Sequence, residues 1–275
     1  MSSVAKAAAT KRLGTPWYRC DEIWSFCYGK DKNLPEDKKD VFGYGSVWTW
    51  TAIDAETKLM ASWMVGTRDA QSAKLFIDDL AGRLSNKVQL TTDGHKPYIE
   101  AVADSFGADI DYAMLIKLYD EERQREIRYS PAVCIGARVQ SLIGAPDRKH
   151  VSTSYVGRQN LTMSMGMRRF TRLTDGFSKK LENHIAAISL HFMYYNFVRI
   201  HQTPRITPAM AAGLTDRAWG ISDIVWLRKP LRWPRRRTNA TGMVLTRLQA
   251  DSGLLRLGPC LRVLEFSLFQ TFLCW

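Results

Sequence analysis

Three strand-forming runs precede the first helical stretch, and that order constrains the fold more than any other feature of the sequence. Trp17 to Tyr28 reads WYRCDEIWSFCY, an aromatic-rich run suited to a pleated, half-buried surface. A polar loop, KDKNLPEDKKD, separates it from FGYGSVWTWTAI at Phe42–Ile53 and KLMASWMVG at Lys58–Gly66. Only Asp54-Ala55-Glu56-Thr57 lies between the last two, so they are expected to pair as an antiparallel hairpin. Asp69 is placed to cap the helix that follows, in which Ala73, Phe76, Ile77, Leu80 and Leu84 share one face. A short strand at Lys87–Thr92, a helix near Lys96–Ser105 and a strand near Asp109–Ile116 complete the series. The expected class is α/β with an antiparallel start, an order that more than one three-layer fold can use.

Beyond this point the chain turns polar and basic, with Arg123, Arg125, Arg128, Arg138, Arg148 and Lys149. Residues 117–152 are therefore expected to be an inserted loop, since so long a loop is either functional or unstructured. The strongest helical periodicity follows between Ser178 and Val198, where Leu181, Ile185, Ile188, Phe192 and Tyr195 recur at steps of four and three. Ser178 is expected to cap it, and Pro204 and Pro208 follow its end. Residues 1–16, small and polar, are expected to be a disordered arm.

Charge suggests a polyanion as partner. The net charge is +12, and cationic side chains that neutralise phosphates release condensed counterions. The signal is uneven, because residues 228–275 hold nine Lys/Arg against Asp251 and Glu265. That basic and apolar tail is expected to lie outside the main domain. The five cysteines are scattered without CxxC spacing, which points away from structural zinc and toward reduced thiols in the cytoplasm. No secretory leader is read at the N-terminus, and the most apolar stretch, Gly253–Trp275, is broken by Arg256, Pro259, Arg262 and Glu265. It is a poor membrane span.

Three separated motifs carry more specific information. Tyr195-Asn196-Phe197-Val198-Arg199-Ile200-His201 followed by Thr207-Pro208, the segment CDEIWSF around Asp21, and TTDGH around Asp93 together resemble the insertion-sequence-1-type family of DDE transposases. The resemblance runs from about Arg19 to about Leu227. It implies an RNase H-like catalytic domain over 17–227, a mixed five-stranded sheet flanked by helices with a C-terminal helical extension, and metal-dependent DNA cleavage and transfer in transposition. It also implies Mg²⁺ or Mn²⁺ as cofactor, element ends and target DNA as partners, and a homo-oligomer on DNA.

Such chemistry needs hard oxygen ligands, because phosphodiester cleavage and transfer work best with cations bridging the attacking and leaving oxygens. The resemblance assigns Asp21 and Asp93 as catalytic metal ligands. An Asp before Gly is also an ordinary turn residue, so Asp93 alone would say little. The family's third carboxylate aligns with Gly157, and the basic residue seven positions on aligns with Ser164. Loss of that carboxylate is expected to impair catalysis, with Glu22 or Glu182 as possible substitutes, although strand alternation puts Glu22 on the other face with Cys20, Trp24 and Phe26. Contacts to DNA are expected from Arg158, Asn160, Arg168, Arg169, Lys179, Lys180, Arg199 and His201. His184 and His191 share a helix face but lack a third ligand, so a packed face is the better reading than zinc. His95 could sit at a phosphate or at a helix start. The Gly157 position, the short stretch before Asp21 and the unmatched tail are together expected of a truncated, degenerate copy. A non-catalytic DNA-binding or dimerising remnant that interferes with an intact transposase is the alternative.

Overall fold

The computed structural model describes residues 13–85, 87–119, 134–170, 175–202 and 204–226. Strands β1 (Trp17–Cys27), β2 (Gly45–Asp54) and β3 (Met60–Gly66) lead through helix α1 (Ala70–Arg83) to β4 (Val88–Thr92). Helix α2 (Pro97–Phe106), β5 (Ile110–Tyr119) and β6 (Cys134–Ile143) follow, then α3 (Ser154–Gly166) and α4 (Leu181–Met193). Short helices α5 (Pro208–Ala211) and α6 (Ile221–Trp226) close the described chain.

The strands form one six-stranded mixed sheet in the order β3-β2-β1-β4-β5-β6. The β1–β2–β3 part is antiparallel, β4 and β5 run parallel to β1, and β6 returns antiparallel to β5. Strand alternation then divides the core in two. Tyr18, Cys20, Trp50 and Ala52 face α1 and α2, with Phe76, Leu80, Tyr98 and Val102. Ile53 and Met60, with Ile23 beside them, face α3 and α4, with Val156, Met163, Ile188 and Phe192. The result is a three-layer mixed α/β arrangement.

Several expectations need correction. The sheet has six strands, not five, because residues 134–143 of the expected loop form β6. Most of its side chains are exposed or only half-buried, so an edge strand of this kind carries no apolar alternation to read. Residues 120–133 of the insertion, the arm before Leu13 and the tail from 227 onward lie outside the described residues. Leu13 is not part of a disordered arm: it is buried and bridges Leu84, donating its N–H to Arg83 and accepting one from Ser85. Ser178 does not cap α4, whose N-cap residue is Lys180 and makes no side-chain cap. Asp69 does cap α1, accepting a hydrogen bond from Ser72 N–H at 2.7 Å. The periodic helix ends in a π turn, Tyr194–Val198, closed by Arg199 N–H on the Tyr194 carbonyl.

One mismatch of strand lengths positions everything that follows. β1 pairs with β4 only from Trp17–Arg19 against Gln89–Thr91. β4 ends at Thr92 while β1 continues to Cys27. Past Arg19, the middle of β1 has no neighbour on its β4 side.

Candidate functional site

Asp21, Glu22 and Asp93 meet in that gap. One carboxylate oxygen from each lies within 4.8 Å of the others, and among the described residues they are the grouping of acidic, His or Cys side chains close enough to share a cation. Asp21 is held from two sides: Glu22 N–H donates to Oδ1 at 2.9 Å, and Asn160 Nδ2 on α3 donates to Oδ2 at 3.1 Å. Asp93 follows directly on β4 and accepts from the His95 N–H at 3.2 Å.

Glu22 lies on the face where strand alternation puts it, with Cys20 and against Tyr98, and its carboxylate still reaches the group. Two faces are distinct only where a neighbouring strand separates them. β4 stops one residue before Asp93, so the longer Glu22 side chain reaches the same space around the strand end. It is buried, and Arg68 Nε donates to its Oε2 at 3.2 Å. The other oxygen, Oε1, and the buried Tyr98 hydroxyl have no well-formed hydrogen bond, although Tyr98 lies close enough to favour the carboxylate. Arg68 also comes within 3.8 Å of Asp93 and stacks over Trp48.

Electrostatics follow from the crowding. Burial, and then the charge of Asp93, push Asp21 up to about 6 and Glu22 up to about 7. Arg68 opposes this for both, and Lys117 on β5 does so for Asp21, which brings the first residue of the expected basic insertion to the site. Three oxygen donors, one of them an orphaned buried oxygen, and two carboxyls that resist ionisation make a donor set suited to a hard divalent cation.

The remaining expected site residues divide. Gly157 stands one turn before Asn160 on α3, so the two share a helix face, and a Cβ there would meet nothing within 4 Å. Asn160 is half-buried and contacts Asp21. Arg169 donates to Ser178 Oγ at 3.0 Å, so its guanidinium is partly used inside the protein. Lys179 lies over the Phe177 ring. Arg158, Arg168, Lys180 and Arg199 are exposed. Glu182 is not in the carboxylate group; its charge acts on Cys27 instead.

Among the described residues no histidine joins a group of three possible metal ligands. His184 is buried between Ser178 Oγ at 2.8 Å on Nδ1 and Ser25 Oγ at 3.0 Å on Nε2. Burial, then Arg169, lowers it to about 4. His191 packs edge-on against Phe192, and burial lowers it likewise to about 4. His95 packs on Trp50 and Tyr98 at the start of α2.

The signature at the end of α4 has a role that its sequence does not reveal. Asn196 Oδ1 accepts the Met60 N–H at 2.9 Å and its Nδ2 donates to the Met60 carbonyl at 3.0 Å. Tyr195 donates its hydroxyl to the Lys58 carbonyl at 3.1 Å. Together they clamp α4 to the edge of β3. His201 lies under the Tyr195 ring, with Nε2 buried and without a partner.

No family model matches the chain, and no curated protein matches it. Solved structures that match include a piggyBac transposase synaptic complex with hairpin DNA, at a TM-score of 0.31 and 14% identity, over 65% of this chain and 45% of that one. The chain thus spans less than half the length of that protein, and no functional assignment rests on a likeness of this size. Among the described residues, no helix is long and apolar enough to cross a membrane.

Proposed function

We propose that the chain is a metal-dependent DNA strand transferase of the insertion-sequence transposase kind, built on an RNase H-like core over residues 17–227. The observation that carries this reading is the convergence of Asp21, Glu22 and Asp93 at the end of β4. The sequence resemblance to DDE transposases supports it independently through Asp21, Asp93 and the motif from Tyr195 to His201. Its partners are element ends and target DNA, on which it assembles as a homo-oligomer.

Asp21, Glu22 and Asp93 would hold Mg²⁺ or Mn²⁺. Such a cation, when bound, supplies Lewis-acid stabilisation of the attacking and leaving oxygens of a phosphodiester. The protein's own part is positional. Asn160 fixes the Asp21 carboxylate through Oδ2, leaving one lone pair of that oxygen and part of Oδ1 for a ligand. Arg68 balances the charge of Glu22 and Asp93. Because Glu22 reaches the group from the residue next to Asp21, two of the three donors come from one strand, and α3 adds none at Gly157. The proposal therefore includes activity below that of a site with a carboxylate on α3.

The test is metal-dependent nicking and strand transfer on generic and element-end DNA, with the parent, Glu22→Gln, Asp93→Asn and Gly157→Glu. The expected result is weak parental activity that Asp93→Asn and Glu22→Gln abolish and Gly157→Glu raises. Parental activity untouched by both Asp93→Asn and Glu22→Gln would overturn the assignment. The second reading, a DNA-binding remnant without catalysis, is favoured by Gly157 and by the Arg68 contacts; it predicts an inert parent that still binds DNA.

A further inference from the structure

A second charged cluster lies on the same face of β1 as Asp21. Arg19 precedes Asp21 by two residues, about 7 Å along the strand. Its guanidinium carbon is 4.5 Å from the centroid of the Tyr155 ring, and Lys58 Nζ is 3.3 Å from the same centroid. Two cations thus converge on one ring at the first turn of α3.

Neither cation has a carboxylate. Arg19 is only 4% exposed, donates through Nη2 to the His150 carbonyl at 3.2 Å, and has no partner for Nε or Nη1. Among the described ion pairs none includes Arg19 or Lys58. Asp54, whose charge reaches Lys58, is already engaged by the hydroxyls of Thr15 and Thr57 and the N–H of Glu56. A buried guanidinium with free N–H groups is unfavourable unless an anion completes it, and that guanidinium fork matches phosphate geometry.

The surroundings add donors of the same sense. The N-terminus of α3 carries positive potential; Thr153 does not cap it, and Ser152 Oγ accepts the Ser154 N–H at 3.1 Å. His201, with its orphan Nε2, is close enough to Lys58 to feel its charge. The clamp of Tyr195 and Asn196 on Lys58 and Met60 fixes the hairpin that presents Lys58. Tyr155 itself is 39% exposed, and anion access to the guanidinium requires its ring to move aside.

We propose that Arg19, Lys58 and the first turn of α3 form a phosphate-binding site, covered by Tyr155, that takes a backbone phosphate of DNA beside the carboxylate group. The site fixes the register of the strand without reading its sequence. Its assignment to DNA rests on the function proposed above; phosphate binding as such does not.

The experiment measures binding of the full chain to a labelled duplex and a labelled single strand by fluorescence anisotropy, in EDTA, over a range of salt. Lys58 has φ of +65°, a region that Asn tolerates, so Lys58→Asn removes the charge with little backbone strain. It is expected to weaken binding about three- to tenfold and to lower the salt slope by about one. Arg19→Lys, which keeps the charge and loses the fork, is expected to weaken binding with the slope unchanged. Lys39→Asn, at an exposed lysine paired with Glu36, serves as the control for general charge loss and is expected to change the slope less. Inorganic phosphate should raise the melting temperature of the parent and not of Lys58→Asn.

Equal slopes for the parent and Lys58→Asn, or no DNA binding by the parent at low salt, would overturn the proposal. Stabilisation by phosphate with an unchanged DNA slope would overturn the assignment to DNA. The two readings fail separately. Metal-dependent cutting that Asp93→Asn abolishes, with DNA binding indifferent to Lys58, sinks the phosphate site alone. A Lys58-dependent slope with no cutting by any variant sinks the catalytic reading alone.

Discussion

Two clusters on one face of β1, two residues apart, treat charge in opposite ways. Around Asp21 three carboxylates are crowded together with Arg68 in contact with two of them. Around Arg19 two cations share one aromatic ring, and no carboxylate closes on either. Folding normally pairs buried charges, because an uncompensated one is costly. A sheet that leaves negative charge in excess at one point and positive charge in excess beside it is preorganised for two ligands of opposite sign. A phosphodiester and a hard cation form such a pair.

The largest effect should come from the negative cluster. Asp93→Asn is expected to lower metal-dependent cleavage by at least about 100-fold, since removing one ligand perturbs both affinity and geometry. Single-turnover nicking assays would check it; a loss of only a few-fold would mean that the cluster is not where the chemistry happens, and the comparison would break.

Next in size is the clamp that supports the positive cluster. Asn196→Ala leaves the Met60 N–H and carbonyl without their partner in a buried place. A destabilisation of about 2–4 kcal/mol is expected, read by denaturant unfolding. DNA affinity measured where this variant is still folded should fall with it, because Lys58 is displaced. Full affinity in a destabilised variant would separate the clamp from the cationic cluster.

The metal-free negative cluster should also show itself in stability against pH. Asp21 titrates at about 6 against an ordinary 3.8, and Glu22 at about 7 against 4.5. The native state keeps protons that the unfolded chain has released. The contribution of these groups is therefore intact below about pH 4 and lost as pH rises through about 7. His184, lowered from 6.5 to about 4, acts with the opposite sign as pH falls through that window. The informative quantity is accordingly the difference between Glu22→Gln and the parent in EDTA. That difference should move in favour of Glu22→Gln by about 1–3 kcal/mol between pH 4.5 and pH 8, at 1.36 kcal/mol per pKa unit. A flat difference would mean that Glu22 feels no crowding.

The smallest effect sharpens the contrast. Millimolar Mg²⁺ should raise the melting temperature of the parent by an amount worth about 1–3 kcal/mol, and should do so less for Glu22→Gln. Equal stabilisation of the two would remove Glu22 from the donor set.

The strands, the order of α1, β4 and α2, and the burial of the periodic stripe on α4 were legible because each depends on local periodicity against a sheet. That Asp21 and Asp93 meet was expected for a different reason, the resemblance of their flanking residues to a family pattern. β6 was not, because an edge strand with little buried on either face leaves no alternation. That Glu22 reaches Asp21 and Asp93 from the Cys20 face was not legible, because it depends on β4 ending at Thr92. The bonds of Asn160 to Asp21 and of Arg169 to Ser178 were not legible, since a polar side chain at a given helical position does not disclose whether solvent or a strand lies opposite.

By itself the sequence determined which segments alternate and which repeat at helical spacing, the charge balance, and the absence of a carboxylate at Gly157. These are properties of neighbours along the chain. Only the tertiary structure decided that Glu22 joins Asp21 and Asp93, that Asn196 grips Met60, and that Arg19 and Lys58 meet over Tyr155. Those pairs are far apart in sequence or depend on where a strand stops, and long-range contacts of that kind are set by packing and strand register, which no local pattern encodes.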